Sequence, residues 1–145
     1  MSRKSRADSI ADTRSDCPCQ SGLTFQQCCQ RFLDSTLAGS AAQQPETAEQ
    51  LMRSRYCAYV LKNSDYLLKT WHPDYRPETL VLEGSVNHWL GLKIKNSHQG
   101  NKNDTAGQVH FIAFYKINGK AYKLEENSQF KKINSQWLYL NGELY

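Results

Sequence analysis

The chain has five cysteines, and four of them fall in the stretch Asp16-Cys17-Pro18-Cys19-Gln20-Ser21-Gly22-Leu23-Thr24-Phe25-Gln26-Gln27-Cys28-Cys29. A Cys-x-Cys pair followed by Cys-Cys lets one short hairpin point four sulfurs at a single ion. Four thiolates at about 2.3 Å then make a closed tetrahedral site. Clustered cysteines without a signal peptide ahead of them fit a metal in a reducing compartment better than disulfides. Cys17, Cys19, Cys28 and Cys29 are therefore expected to hold a structural zinc ion. Four protein ligands leave no position open for water, so Lewis-acid catalysis is not expected there. Cys57 lies on a helix read as distant from the knuckle, and is taken as a small packed residue.

A second pair of residues carries charge where charge is costly. Arg55 falls inside the apolar stripe formed by Ala48, Leu51, Met52, Tyr56 and Tyr59 on a helix, whereas Arg53 points elsewhere. Glu126 interrupts the strand row Tyr122, Leu124, Ser128 and Phe130. Burying either charge alone would be expensive, so the two are expected to meet as a hydrogen-bonded ion pair. No nucleophile, base and orienting group stand at a recognisable spacing, and no catalytic residue is assigned.

The elements that position these residues follow from pattern. Gly22 supplies the turn between the cysteine pairs, and Gln26 to Leu33 is expected to close the knuckle as a short helix. Residues 1–15, polar and mixed in charge, read as a disordered tail, and the Ser-, Ala- and Gln-rich stretch 35–46 as a linker ending near Pro45. Thr47-Ala48-Glu49-Gln50 has capping-box spacing and predicts a helix to about Lys62. Ser64-Asp65 caps a shorter helix that Pro73 must end. Beyond residue 82 the period changes to 2. One strand carries Val86, His88, Leu90, Leu92 and Ile94 on one face, and a polar loop including His98 spans Asn96 to Ala106. The next strand runs from Gln108 to Ile117, Asn118-Gly119 makes a two-residue hairpin, and Asn134-Ser135 turns the chain into a last strand through Trp137 and Tyr139. His88 and His110 read as satisfied strand histidines. Two helices followed by a four-stranded antiparallel meander predict an α+β fold.

Composition narrows the function classes. The chain of 145 residues is 39% hydrophobic, with five Phe, three Trp and eight Tyr, enough for a small module plus a domain of about 100 residues. No apolar run approaches the ~20 residues of a membrane span, which agrees with a mean hydropathy of -0.69. The N-terminus has basic residues but no apolar stretch after them, so the expected address is cytoplasmic. A net charge of +4, spread over scattered lysines and arginines, argues against nucleic-acid binding.

The stretch Cys17-Pro18-Cys19-x-Ser21-Gly22-x-x-Phe25-x-x-Cys28-Cys29 resembles the SEC-C motif, and residues 16–34 form such a knuckle. The remainder is similar to the YchJ family of bacterial proteins. That likeness rests on Leu51-Met52-Arg53-Ser54-Arg55-Tyr56-x-Ala58-Tyr59, Thr70-Trp71-His72-Pro73, Trp89-Leu90-Gly91-Leu92, Val109-x-Phe111-x-Ala113-x-Tyr115, Leu124-x-Glu126-x-Ser128-x-Phe130 and Trp137-x-Tyr139. The resemblance implies a nuclear-transport-factor-2-like cone over residues 47–145, with a curved meander wrapped around helices. SEC-C motifs usually carry glycine after the second cysteine and lysines around the aromatic residue, where this chain has Gln20 and no lysine. In such a cone, Arg55, Tyr56, Tyr59, Trp71, His72, Arg76, Trp89 and Glu126 are the candidate pocket residues. The reading is a zinc-binding, non-enzymatic binding or adaptor protein, with a protein partner at the knuckle, a small ligand in the cone and a homodimer through the sheet as its partners. The alternatives are acid/base chemistry in the cone by His72 or Glu126, and ribosome or nucleic-acid association through the knuckle.

Overall fold

The computed structural model describes residues 15–33, 43–82, 84 and 87–145. The predicted tail, apart from Ser15, most of the predicted linker, and Val86 lie outside the described residues. The elements are α1 (Gln30–Leu33), α2 (Ala48–Val60), α3 (Ser64–Lys69), β1 (His88–Gln99), β2 (Ala106–Ile117), β3 (Lys120–Ile133) and β4 (Gln136–Leu144). The four strands form one antiparallel sheet in the order β1-β2-β3-β4, the predicted meander in an α+β fold.

Helix α2 organises the domain. Thr47, in extended conformation, accepts a hydrogen bond from the Gln50 amide at 3.1 Å, which satisfies one of the first-turn donors that a helix start leaves free. Gln50 Oε1 accepts from the Glu46 amide at 2.7 Å, one residue earlier than a strict capping box. The apolar stripe of α2 is wider than the sequence implies. Ala48, Leu51, Met52, Ser54, Arg55, Tyr56, Cys57 and Ala58 are all buried, because the helix contacts α1, α3 and the sheet at once.

Helix α3 starts one residue earlier in its capping than predicted: Asn63, not Ser64, accepts from the Tyr66 amide at 3.0 Å. After it, Thr70 to His72 pair with the last strand. The His72 amide donates to Tyr139 O and the Tyr139 amide to Thr70 O, both at 2.8 Å. This short parallel bridge covers part of the β4 edge, a place where unpaired backbone groups would otherwise invite another strand.

Two departures in β1 have a physical cause. Bulges occur between Trp89 and Gly91 and between Ile94 and Asn96, and an extra residue in a strand resets which side chains face inward. Trp89 and Leu92 therefore pack on the core while Leu90 stands 49% exposed, against the predicted shared face of His88, Leu90 and Leu92. The strand also continues to Gln99, so the predicted loop from Asn96 shortens, and His98 is an exposed strand residue. The Asn118-Gly119 turn has positive φ at both positions, 51° and 80°, as a two-residue hairpin of this hand requires.

Candidate functional site

The knuckle is a miniature hairpin. The Cys17 amide donates to Leu23 O, the Gln20 amide to Cys17 O and the Phe25 amide to Ser15 O. Gly22 takes φ 96° and Gln20 φ 63°. The expected closing helix is shorter than predicted: residues 25–29 are turns, and only Gln30–Leu33 is helical. This brings four buried sulfurs together, all within 4.8 Å of one another. Cys19 and Cys28 Sγ are 3.7 Å apart, and Cys28 and Cys29 Sγ 3.8 Å. A tetrahedron with metal–sulfur bonds of about 2.3 Å has edges of about 3.8 Å. The cluster thus has the dimensions of a closed four-thiolate metal site.

Its electrostatics point the same way. The Cys19 thiol is pulled far down, first by Cys17 and then by Cys28 and Cys29 acting as donors. Cys17 is pushed up by Cys19, but the donors Cys28, Cys29 and Cys57 outweigh this and lower it to about 4. Cys28 and Cys29 are pushed up, chiefly by Cys17 and Cys19. Crowded thiols cannot all ionise next to one another, whereas a cation in their midst allows all four to be thiolates.

Contacts from the cone complete the knuckle, and here the sequence reading of Cys57 is corrected. Its Sγ lies 3.5 Å from Cys17 Sγ, because α2 presents that face to the knuckle. One turn earlier, Arg53 Nη1 donates to Cys19 O at 2.9 Å and to Cys19 Sγ at 3.7 Å. From β1, the Leu92 amide donates to Gln20 Oε1 at 2.8 Å. A Cβ on Gly91 would collide with that Gln20 side chain, so glycine there makes room for the dock. Gln20, where SEC-C motifs usually have glycine, accepts left-handed backbone strain and returns a cross-module hydrogen bond. The knuckle cysteines and Phe25 share one hydrophobic cluster with Leu51, Tyr56, Leu92 and Trp137.

On the other side of α2 lies a cavity of about 230 Å³. Six of the eight candidate pocket residues line it: Arg55, Tyr56, Tyr59, Trp71, Trp89 and Glu126. Met52, Phe111, Ala113, Leu124, Ser128 and Tyr139 complete the wall; alternation along β2 and β3 was the signal that places Phe111, Ala113, Leu124 and Ser128 inward. His72 and Arg76 are not part of it. His72 Nδ1 accepts from the Asp74 amide and its ring packs edge-on against Tyr75, while the exposed Arg76 donates to Leu68 O. His110, on a different row of β2, is 2.6 Å from Glu125 Oε2.

The expected Arg55–Glu126 ion pair does not form; Tyr139 stands between the two. Its hydroxyl donates to Glu126 Oε2 at 2.8 Å, and Ser128 Oγ donates to the same oxygen at 2.7 Å. The Arg55 guanidinium lies 4.6 Å from the Tyr139 ring centre and 5.0 Å from that of Trp71. Its Nη1 donates to Leu67 O and Thr70 Oγ1, both at 2.8 Å. Arg55 is 3% exposed, and burial lowers its pKa, opposed mainly by Tyr59 and Tyr139. Burial likewise raises Tyr139, and the Glu126 carboxylate adds to this. A Cβ on Gly142 would collide with the Glu126 carboxylate, so this strand glycine supplies its space.

Comparison with known proteins agrees with this two-part build. The family model described as YchJ, middle NTF2-like domain, matches residues 47–142, and the SEC-C motif model matches residues 15–31. A UPF0225 protein of Chromobacterium violaceum is 43% identical over 131 residues, covering 89% of this chain and 93% of its own. One from Bordetella pertussis is 43% identical over 128 residues, covering 88% and 92%. Among solved structures, a SEC-C motif containing protein from Rhodopseudomonas palustris aligns with a TM-score of 0.75 at 31% identity, over 89% of this chain and 98% of that one. A second, from Psychrobacter arcticus, gives 0.71 at 28% identity, over 94% and 85%. No helix among the described residues is long and apolar enough to cross a membrane. The chain belongs to the YchJ-like UPF0225 family, in which a SEC-C cysteine knuckle precedes an NTF2-like domain.

Proposed function

We propose that this chain is a non-enzymatic binding protein in which Cys17, Cys19, Cys28 and Cys29 hold a structural zinc ion and the cone cavity holds a small organic ligand. Four thiolates suit zinc among the common divalent ions, since hard cations prefer oxygen. The observation that carries the ligand reading is the cavity itself: aromatic walls around a buried arginine and a half-buried carboxylate that do not neutralise each other directly. Such concave, mostly apolar sites with a few placed polar groups are typical of small-molecule binding. Binding is favoured over catalysis because both donors to Glu126 converge on one of its oxygens and His72 lies outside the wall. With His72 outside, the wall carries no histidine to act beside Glu126.

Two measurements test this. Elemental analysis of the purified chain should return one zinc per chain. A small-fragment screen read by NMR should shift the indole N–H signals of Trp71 and Trp89; hits confined to the outer sheet face would remove the cavity from the account.

A second reading, docking of a protein partner at the knuckle, is favoured by the groove of about 600 Å³ between residues 15–22 and Tyr56, Val60, Trp89 and Leu90. Leu90→Glu should abolish such docking while leaving zinc content unchanged.

A further inference from the structure

The ligand reading can be deepened to a chemical class. Arg55 is 3% exposed, yet only its Nη1 is hydrogen-bonded; Nε and Nη2 have no partner among the described residues. Among those residues, no side-chain nitrogen or oxygen that is sealed from contact lacks a partner. Nε and Nη2 are therefore not sealed from contact, and Arg55 lines the cavity. Together they form the side-on edge of the guanidinium, which matches the two oxygens of a carboxylate. Across Tyr139, Glu126 Oε2 is taken by two hydroxyl donors while Oε1 has no partner among the described residues. A ligand anion facing this second carboxylate needs a hydrogen-bond donor on its other end. Tyr56, Tyr59 and Trp89 line the same cavity, with Trp89 packed at 5.9 Å from Tyr56 and 6.0 Å from Tyr59, walls suited to a planar apolar body. The volume of about 230 Å³ corresponds to about seven or eight water molecules, room for one ring and its substituents.

We infer that the cavity binds a small aromatic carboxylate bearing a hydroxyl or amino group, with the carboxylate on the Nε–Nη2 edge of Arg55 and the donor toward Glu126. This rests on the cavity being a ligand site at all, and the test separates the two. The intact chain is titrated by NMR with 4-hydroxybenzoate, benzoate and the neutral isostere 4-hydroxybenzamide. The expected result is binding of 4-hydroxybenzoate at Trp71 and Trp89, tenfold or more tighter than the amide and tighter than benzoate. Arg55→Lys, which keeps the charge but loses the planar fork, should weaken 4-hydroxybenzoate by about tenfold and leave the amide unchanged. Glu126→Gln should erase the preference over benzoate. Equal affinity for acid and amide in the native chain overturns the carboxylate class while leaving the cavity a ligand site. Carboxylate shifts confined to surface lysines overturn it also. Failure of all three probes to perturb Trp71 or Trp89 overturns both readings.

Discussion

The two faces of α2 carry sites built on opposite principles. Toward the knuckle, Arg53 and Cys57 reach sulfurs that are buried and, with a metal among them, fully ligated. Toward the sheet, Arg55 and Glu126 line a cavity and are held in place, yet each keeps atoms that no described residue bonds. A closed site with every ligand supplied by the chain stabilises the fold and leaves nothing for a substrate to displace. An open one with buried, partly satisfied charge is costly to keep and useful only when something completes it. Under the proposed function, the difference gives structure to the cysteines and recognition to the cone, although the cysteines are the louder signal in the sequence.

Perturbing each side in turn tests that division. The largest effect is expected from Cys29→Ser, which removes a fully buried ligand: zinc content should fall below stoichiometry and stability by about 4 kcal/mol, the range reached when a metal site is lost, read by calorimetry. Because the knuckle shares a hydrophobic cluster with the cone, chelation should lower the melting temperature of the meander as well. Arg55→Met should follow. It removes the buried donor that Leu67 O and Thr70 Oγ1 share, leaving them only the Thr70 hydroxyl bonds to Tyr66 O and Leu67 O, and should cost about 1–3 kcal/mol by denaturant unfolding, with zinc content unchanged. Gly142→Ala would drive a Cβ into the Glu126 carboxylate, for a loss of about 1–3 kcal/mol and altered Tyr139 resonances. Cys57→Ser is the mildest and sharpest probe. If Cys57 supports the metal from outside its ligand shell, chelator competition should show zinc affinity reduced by about tenfold or more, with the cavity unaltered. An unchanged affinity would reduce Cys57 to a packing residue.

Much of this was legible in the sequence, and the misses share a cause. The four cysteines, the Thr47 cap, the Asn118-Gly119 hairpin and the meander are local patterns, each readable within about a dozen residues. Contacts across the fold were not. Cys57 sits within the burial pattern of a helix enclosed on three sides, where periodicity says that a residue is inside but not what it meets. Trp89 and Leu90 exchanged roles because a bulge, invisible to alternation, intervenes. Arg55 and Glu126 were rightly placed on facing surfaces, but Tyr139, distant in sequence, took the position between them. Gly91 and Gly142 were available signals: a glycine inside a strand marks a close approach, and each makes way for one polar side chain, Gln20 or Glu126.

X-ray absorption at the zinc edge of the purified chain tests most directly whether the knuckle is the closed half of this pair. Four sulfur scatterers at about 2.3 Å with no oxygen or nitrogen in the first shell are expected; three sulfurs and a light atom would mean an open coordination position and would contradict the division of labour between knuckle and cone.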